Sequence, residues 1–168
     1  MVLNLFLSMG CLFQLLSAQP PAHTIQPFVF YDAEGKAFSE QNLTKNKLQF
    51  FLFVDPSCDH CQAAIRSFHA NFDPFRVVDF YIVSLSPPSL VSSFLKTYAG
   101  GLLAKKNLRI LYDKQNKFIS LFRPRRYPGM FLYGRNNELL LYEDNPESVF
   151  RFVTELKKTQ NKSLFMIK

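Results

Sequence analysis

The sequence predicts an α/β domain, with a central mixed β-sheet flanked by helices and an N-terminal β-hairpin extension. Three observations carry this expectation. Two apolar runs, Leu48 to Val54 and Val77 to Leu85, each lead into a stretch whose apolar residues recur at three and four. Alternating strand and helix implies parallel strands covered on both faces. Hairpin-like segments stand at either end, from Phe28 to Phe38 and from Met130 to Glu143, and 19 Phe with 7 Tyr supply a core.

Each element follows from local chemistry. Phe28 to Tyr31 and Ala37-Phe38 flank Asp32-Ala33-Glu34-Gly35-Lys36, a turn that uses the permissive backbone of Gly35. Leu48 to Val54 is apolar apart from Gln49 and does not alternate, as expected of a strand covered on both sides. Pro56-Ser57 breaks it. From Cys58, the residues Cys61, Ala64, Ile65, Phe68 and Phe72 mark one buried helix face that ends at Asp73-Pro74. After the second apolar strand, Ser86-Pro87-Pro88 opens a helix with Leu90, Val91, Phe94, Leu95 and Tyr98 inward, closed by Gly100-Gly101.

Leu108 to Tyr112 reads as a further strand and Lys117 to Phe122 as a short helix. Met130 to Tyr133 and Glu138 to Glu143 form a hairpin over Gly134-Arg135-Asn136-Asn137. Asn145-Pro146 caps a last helix whose Val149, Phe150, Val153 and Leu156 face the sheet. Neither an internal repeat nor a low-complexity segment is present.

The first 18 residues read as a secretory signal peptide. Their apolar core, Leu3 to Leu16, is short for a span of about 20 residues, and Ser17-Ala18 suits cleavage after Ala18. No Lys or Arg precedes the apolar run, so an uncleaved segment acting as an anchor is the alternative. Cys11 lacks the polar tether that follows a lipidated cysteine. Residues 19–24 read as a linker, 25–158 as one domain, and 159–168 as a polar tail with an apolar patch at Leu164 to Ile167. The expected location is the periplasm or cell envelope, with secretion as the alternative.

The formal charge of +7 is spread along the chain and densest at Arg123-Pro124-Arg125-Arg126. Without a recognition motif it does not point to nucleic acid; acidic protein partners are the more natural consequence.

The chemistry centres on Cys58-Asp59-His60-Cys61. Two cysteines three apart at a helix start can close a disulfide, and the positive end of the helix stabilises the first thiolate. The spacing also serves as half of a zinc knuckle. That alternative needs partners, yet no second C-x-x-C exists and the histidines are His23, His60 and His69. An inert pair is the remaining reading. No metal and no cofactor beyond a redox-active Cys58-Cys61 disulfide is expected.

A hairpin, a buried strand running into C-x-x-C, a second strand and helix, and an aromatic-Pro step before a last hairpin and helix together resemble the thioredoxin fold. Within it the chain is most similar to the exported TlpA/ResA-type redoxins. The resemblance covers Ile25 to Lys158 and rests on FVFYDAEGKAF, FFLFVDPSCDHC and RRYPGMFLYGRNNELLLYE. It implies that Pro128 is a cis-proline lying against the disulfide and that Tyr127 lines the substrate side.

By the same resemblance, Cys58 is the exposed attacking thiolate and Cys61 the buried resolving thiol of a thiol:disulfide oxidoreductase. Protonated His60 would favour the Cys58 thiolate, while Asp59 would oppose it. Arg123, Arg125 and Arg126 would steer acidic faces of protein thiol or disulfide partners toward Cys58. Two departures from the family pattern stand out. Ser57 replaces the aromatic residue common before the first cysteine, and Leu52 occupies the place of the buried carboxylate that thioredoxins carry six residues earlier.

Three rivals follow. A peroxiredoxin-type peroxidase needs Thr where Asp55 stands, and a copper chaperone of the redoxin type needs a wider cysteine pair and a downstream His. The third is a non-catalytic interaction module with a structural disulfide.

Overall fold

The computed structural model describes residues 19–165, and the side chains of residues up to 160. The expected signal peptide, Cys11 and the end of the tail lie outside the described residues.

Seven strands form one mixed sheet in the order β2-β1-β5-β4-β3-β6-β7. The strands are β1 (Val29–Tyr31), β2 (Ala37–Ser39), β3 (Leu48–Phe53), β4 (Val78–Ser84), β5 (Leu108–Tyr112), β6 (Gly129–Tyr133) and β7 (Leu139–Glu143). The helices are α1 (Asp59–Ala70), α2 (Pro88–Ala99), α3 (Phe118–Phe122) and α4 (Val149–Phe165). β3, β4 and β5 run parallel, joined through α1 and α2, while β6 returns antiparallel to β3. The β1/β2 hairpin extends the far edge, where Tyr31 pairs with Tyr112. Gly35 turns that hairpin at φ 84°, in the left-handed region where a side chain is strained.

The unbroken apolar run of β3 now has its reason. Phe50, Leu52 and Val54 pack on one face with α1, α2 and α4, whereas Phe51 and Phe53 pack on the other with α3 and the hairpin. Aromatic rings fill both faces. Phe50 stacks on Phe80 at 4.7 Å, and Phe53 on Phe118 at 4.3 Å. Truncating one of these rings to Ala would cost about 3–5 kcal/mol. Gln49 is fully buried, but its amide donates to the carbonyls of Thr44 and Lys47 at 2.9 and 3.1 Å.

Three local expectations are corrected. α1 ends at Ala70, with Asn71 closing it, so Phe72 reaches the core from the following loop. Leu90 sits in the first turn of α2 and is 56% exposed. In α4 the expected Val149 and Leu156 are buried and Val153 packs against the core, but Phe152 is buried in place of Phe150, which is exposed. The glycine pair closes α2 as expected: the helix ends at Ala99 with Gly100 as its C-cap, and the chain runs on into a 3-10 turn over Gly100–Ala104. Gly101 also serves close approach: a Cβ there would meet the His69 ring at 2.6 Å.

The segment expected to act as a linker is bonded to the body. Ala22 is buried, its N–H donates to the Phe122 carbonyl at 3.0 Å, and its carbonyl accepts from the Tyr133 hydroxyl at 3.0 Å. α4 continues through Thr159 to Phe165, where a polar tail was expected.

Candidate active site

Sheet register brings the site together. β3 and β6 pair Phe53 with Gly129, so the residues that follow β3, Val54 and Asp55, and those that precede β6, Tyr127 and Pro128, leave the sheet at the same end. The chain then turns through Pro56-Ser57 into α1, so the cysteines and the proline loop meet at the same end of the sheet. The Tyr127-Pro128 peptide bond is cis, as the resemblance implied.

Asp55 builds the turn. Its Oδ1 accepts from the Ser57 N–H at 2.8 Å and from the Ser57 hydroxyl at 2.6 Å. Its carbonyl accepts from the Cys58 N–H at 3.1 Å, and its own N–H donates to Cys61 Sγ at 3.4 Å. An Asp followed by Pro and Ser supplies this geometry locally, because the carboxylate can accept from the amide two residues on.

Cys58 is the N-cap of α1, half-buried, with extended backbone. The sequence places it at the helix start as expected, although its Sγ accepts no capping hydrogen bond from the first turn. Cys61 lies one turn in and is fully buried, in the cluster that includes Leu52, Val54, Ile65 and Met130. Both thiols are free. Burial pushes the Cys61 thiol well above its ordinary range; the neighbouring Cys58 and the Asp55 charge add to the rise, and the Asp55 N–H bond partly offsets it.

Tyr127 is half-buried and stacks on Phe53 at 4.7 Å. Its hydroxyl is pushed up to about 12, first by burial and then by the charges of Asp55, Cys61 and Cys58. Tyr127 and Cys58 both pack against the cluster that holds Cys61, which brings the proline loop near the thiol pair. Asp59 and His60 are both exposed on the first turn of α1. His60 lines a cavity of about 210 Å³ with Arg126, Tyr127, Asp144, Asn145 and Pro146, immediately beside the loop.

The basic stretch divides. Arg125 Nε and Arg126 Nη2 pair with the two oxygens of Asp144 at 3.1 and 3.0 Å. The Tyr142 hydroxyl donates to the same carboxylate at 3.2 Å and accepts from the Arg125 N–H at 2.9 Å. Two of the three arginines thus share one buried acid next to the cavity. Arg123 closes α3 in left-handed backbone, and its charge acts on Tyr133 at the far end of β6.

Asp55 and Asp144 went unassigned in the sequence. Asp-Pro-Ser before the first cysteine was a readable turn signal for Asp55, whereas Asp144 needs the end of β7 to be placed against the proline loop. Among the described residues, no group of three or more His, Cys, Asp or Glu side chains is arranged to hold a metal ion.

No protein-family model matches the chain, and no curated protein matches it. Solved structures do. A candidate thioredoxin from Neisseria meningitidis is 23% identical and covers 84% of this chain and 93% of its own, with a TM-score of 0.65. The thioredoxin domain of a thiol-disulfide oxidoreductase from Bacteroides vulgatus is 12% identical, with coverage of 82% and 97% and a TM-score of 0.63. StoA from Bacillus subtilis is 18% identical, with coverage of 81% and 99% and a TM-score of 0.60. The chain has the thioredoxin-like fold.

Proposed function

We propose that the protein is a thiol:disulfide oxidoreductase that exchanges disulfides with exported protein partners through Cys58 and Cys61. The observation that carries this reading is the asymmetry of the pair: a half-buried thiol at a helix start, a buried thiol one turn in, and Tyr127-Pro128 alongside. Cys58 attacks a partner disulfide and forms a mixed disulfide, releasing one partner sulfur as thiolate. Cys61 then attacks Cys58 Sγ, which frees the second partner sulfur and leaves Cys58-Cys61 oxidised. The partner gains two electrons, and the reverse sequence oxidises a dithiol.

The export assignment rests on residues 1–18 as a signal peptide. One solved structure of the same fold is described as a pneumococcal exposed lipoprotein thioredoxin, at 16% identity. Among the described residues no helix is long and apolar enough to cross a membrane. Partners with acidic faces suit Arg125 and Arg126, which stand beside the cavity next to Tyr127 with two positive charges against the one of Asp144. Exposed His60 and Asp59 flank the pair and tune it in opposite directions.

The deciding experiment is the reduction potential of the pair, read by alkylation and mass after equilibration in glutathione buffers. A value near about −120 to −180 mV assigns an oxidant or isomerase, and about −270 mV or below a reductant. A pair that does not exchange with glutathione at all would overturn the reading in favour of an interaction module with a structural disulfide.

A further inference from the structure

Resolution of the mixed disulfide requires the Cys61 proton to leave, and Cys61 is walled in. The surrounding cluster is apolar, with Leu52 fully buried in β3. A buried thiol is a weak nucleophile until a base within reach, directly or across one water, removes its proton.

The groups around the pair are few. Asp59 and His60 are exposed at the helix start, and His60 lines the cavity on the Arg126 side. Tyr127 holds its proton up to about 12 and cannot serve as base near neutrality. Asp113 acts on Tyr127 from behind, and its two oxygens already accept from the N–H groups of Phe118 and Gln115 at 2.6 and 3.2 Å. Asp55 remains. Its backbone touches Cys61 Sγ, its carboxylate is oriented by two hydrogen bonds from Ser57, and its charge reaches both Cys61 and Tyr127. Being half-buried, it also links the interior to solvent.

We propose that the Asp55 carboxylate is the base that accepts the Cys61 proton during resolution of the mixed disulfide. The proposal rests on the exchange reading of the thiol pair. As the Cys61 sulfur bonds to Cys58 Sγ, the bond between Cys58 and the partner sulfur breaks. The S–H proton passes to Asp55, and the partner leaves as thiolate. Asp55 then returns the proton to solvent or to that thiolate. In the reverse direction protonated Asp55 delivers the proton to Cys61 as it leaves.

The test separates the two thiols. Reduced full-chain protein carrying Cys11→Ser, which leaves Cys58 and Cys61 as its two thiols, is mixed with excess dithiobisnitrobenzoate, which releases one coloured thiolate when Cys58 attacks and a second when Cys61 resolves the adduct. Asp55→Asn keeps the backbone N–H and an acceptor for Ser57. It should slow the second release at pH 7 by about 10- to 100-fold and leave the first within about threefold. The second release should also become steeply dependent on hydroxide in the variant, which a merely structural role would not produce. Asp55→Glu should recover part of the rate.

If Asp55→Asn does not fold, Ser57→Ala, which loosens the carboxylate, should slow the second release alone. An unchanged second release with an unchanged pH slope, in whichever of these variants folds, overturns the proposal while leaving the exchange reading intact. No first release in the Cys11→Ser protein overturns both.

Discussion

Gly129 lies opposite Phe53 where β6 meets β3, and a Cβ at that glycine would stand 3.6 Å from Phe53 Cβ, 3.1 Å from the Phe131 ring and 3.0 Å from Pro124 Cβ. The Phe53 contact is ordinary, while the Pro124 contact is tight and meets a rigid ring. Both the sheet and the proline loop are therefore closed around this position. Gly129→Ala should lower stability by about 1–3 kcal/mol through overpacking and slow exchange by displacing Tyr127. Urea unfolding and turnover with a protein disulfide check this; a variant as stable and as fast as the parent would show that the loop yields freely.

The two thiols differ in access. With limiting iodoacetamide near pH 8, Cys58 should be alkylated at least about 100-fold faster than Cys61, whose sulfur is buried and holds its proton. In Cys58→Ser, Cys61 should stay almost unlabelled until the protein is unfolded. Mass analysis of the alkylated peptides reads the ratio, and comparable labelling of both positions would contradict the buried placement of Cys61.

Much of this site is local in sequence and was legible there. C-x-x-C at a helix start and Tyr127-Pro128 before a strand are short patterns whose geometry the backbone nearly dictates. The β3 run was readable because a strand covered on both faces loses its alternation. What escaped depends on pairing between distant segments. Asp55 reaches Tyr127 only through the β3/β6 register, and Asp144 meets Arg125 and Arg126 only where β7 ends beside the proline loop. Helix faces were legible apart from single positions at their margins. Periodicity leaves the edge of a stripe open, so Phe150 was taken as inward where Phe152 is buried, and Leu90 was assigned to the core although it stands exposed in the first turn of α2.

Alkali should destabilise the protein. Burial pushes the ionisation of Cys61, Tyr81 and Tyr133 to higher pH, and it raises the pKa of Tyr127 to about 12. The folded state thus holds these protons more tightly than the unfolded chain. Their contribution is complete below the unfolded values of about 8.5 for Cys and about 10 for Tyr, and it is lost as pH climbs toward the folded values. The urea midpoint should fall from about pH 9 upward, and replacing Cys61 by Ala should flatten the first part of that fall. A midpoint constant to about pH 11 would refute the assignment.

The clasp at Asp144 offers control over partner choice. Asp144 is 8% exposed and carries Arg125, Arg126 and the Tyr142 hydroxyl, while both guanidiniums remain largely in solvent. Removing its charge leaves the arginines hydrated, not buried and unpaired, so Asp144→Asn should cost only about 1 kcal/mol. The charge beside the cavity rises from one net positive to two. Electrostatic steering should then strengthen. Exchange with an acidic protein disulfide should speed up at low ionic strength and lose that gain in high salt, whereas an uncharged peptide disulfide should react at the parent rate. An identical salt slope for parent and variant would show that these arginines do not guide the partner, and the basic stretch would then serve only to pin the proline loop to the end of β7.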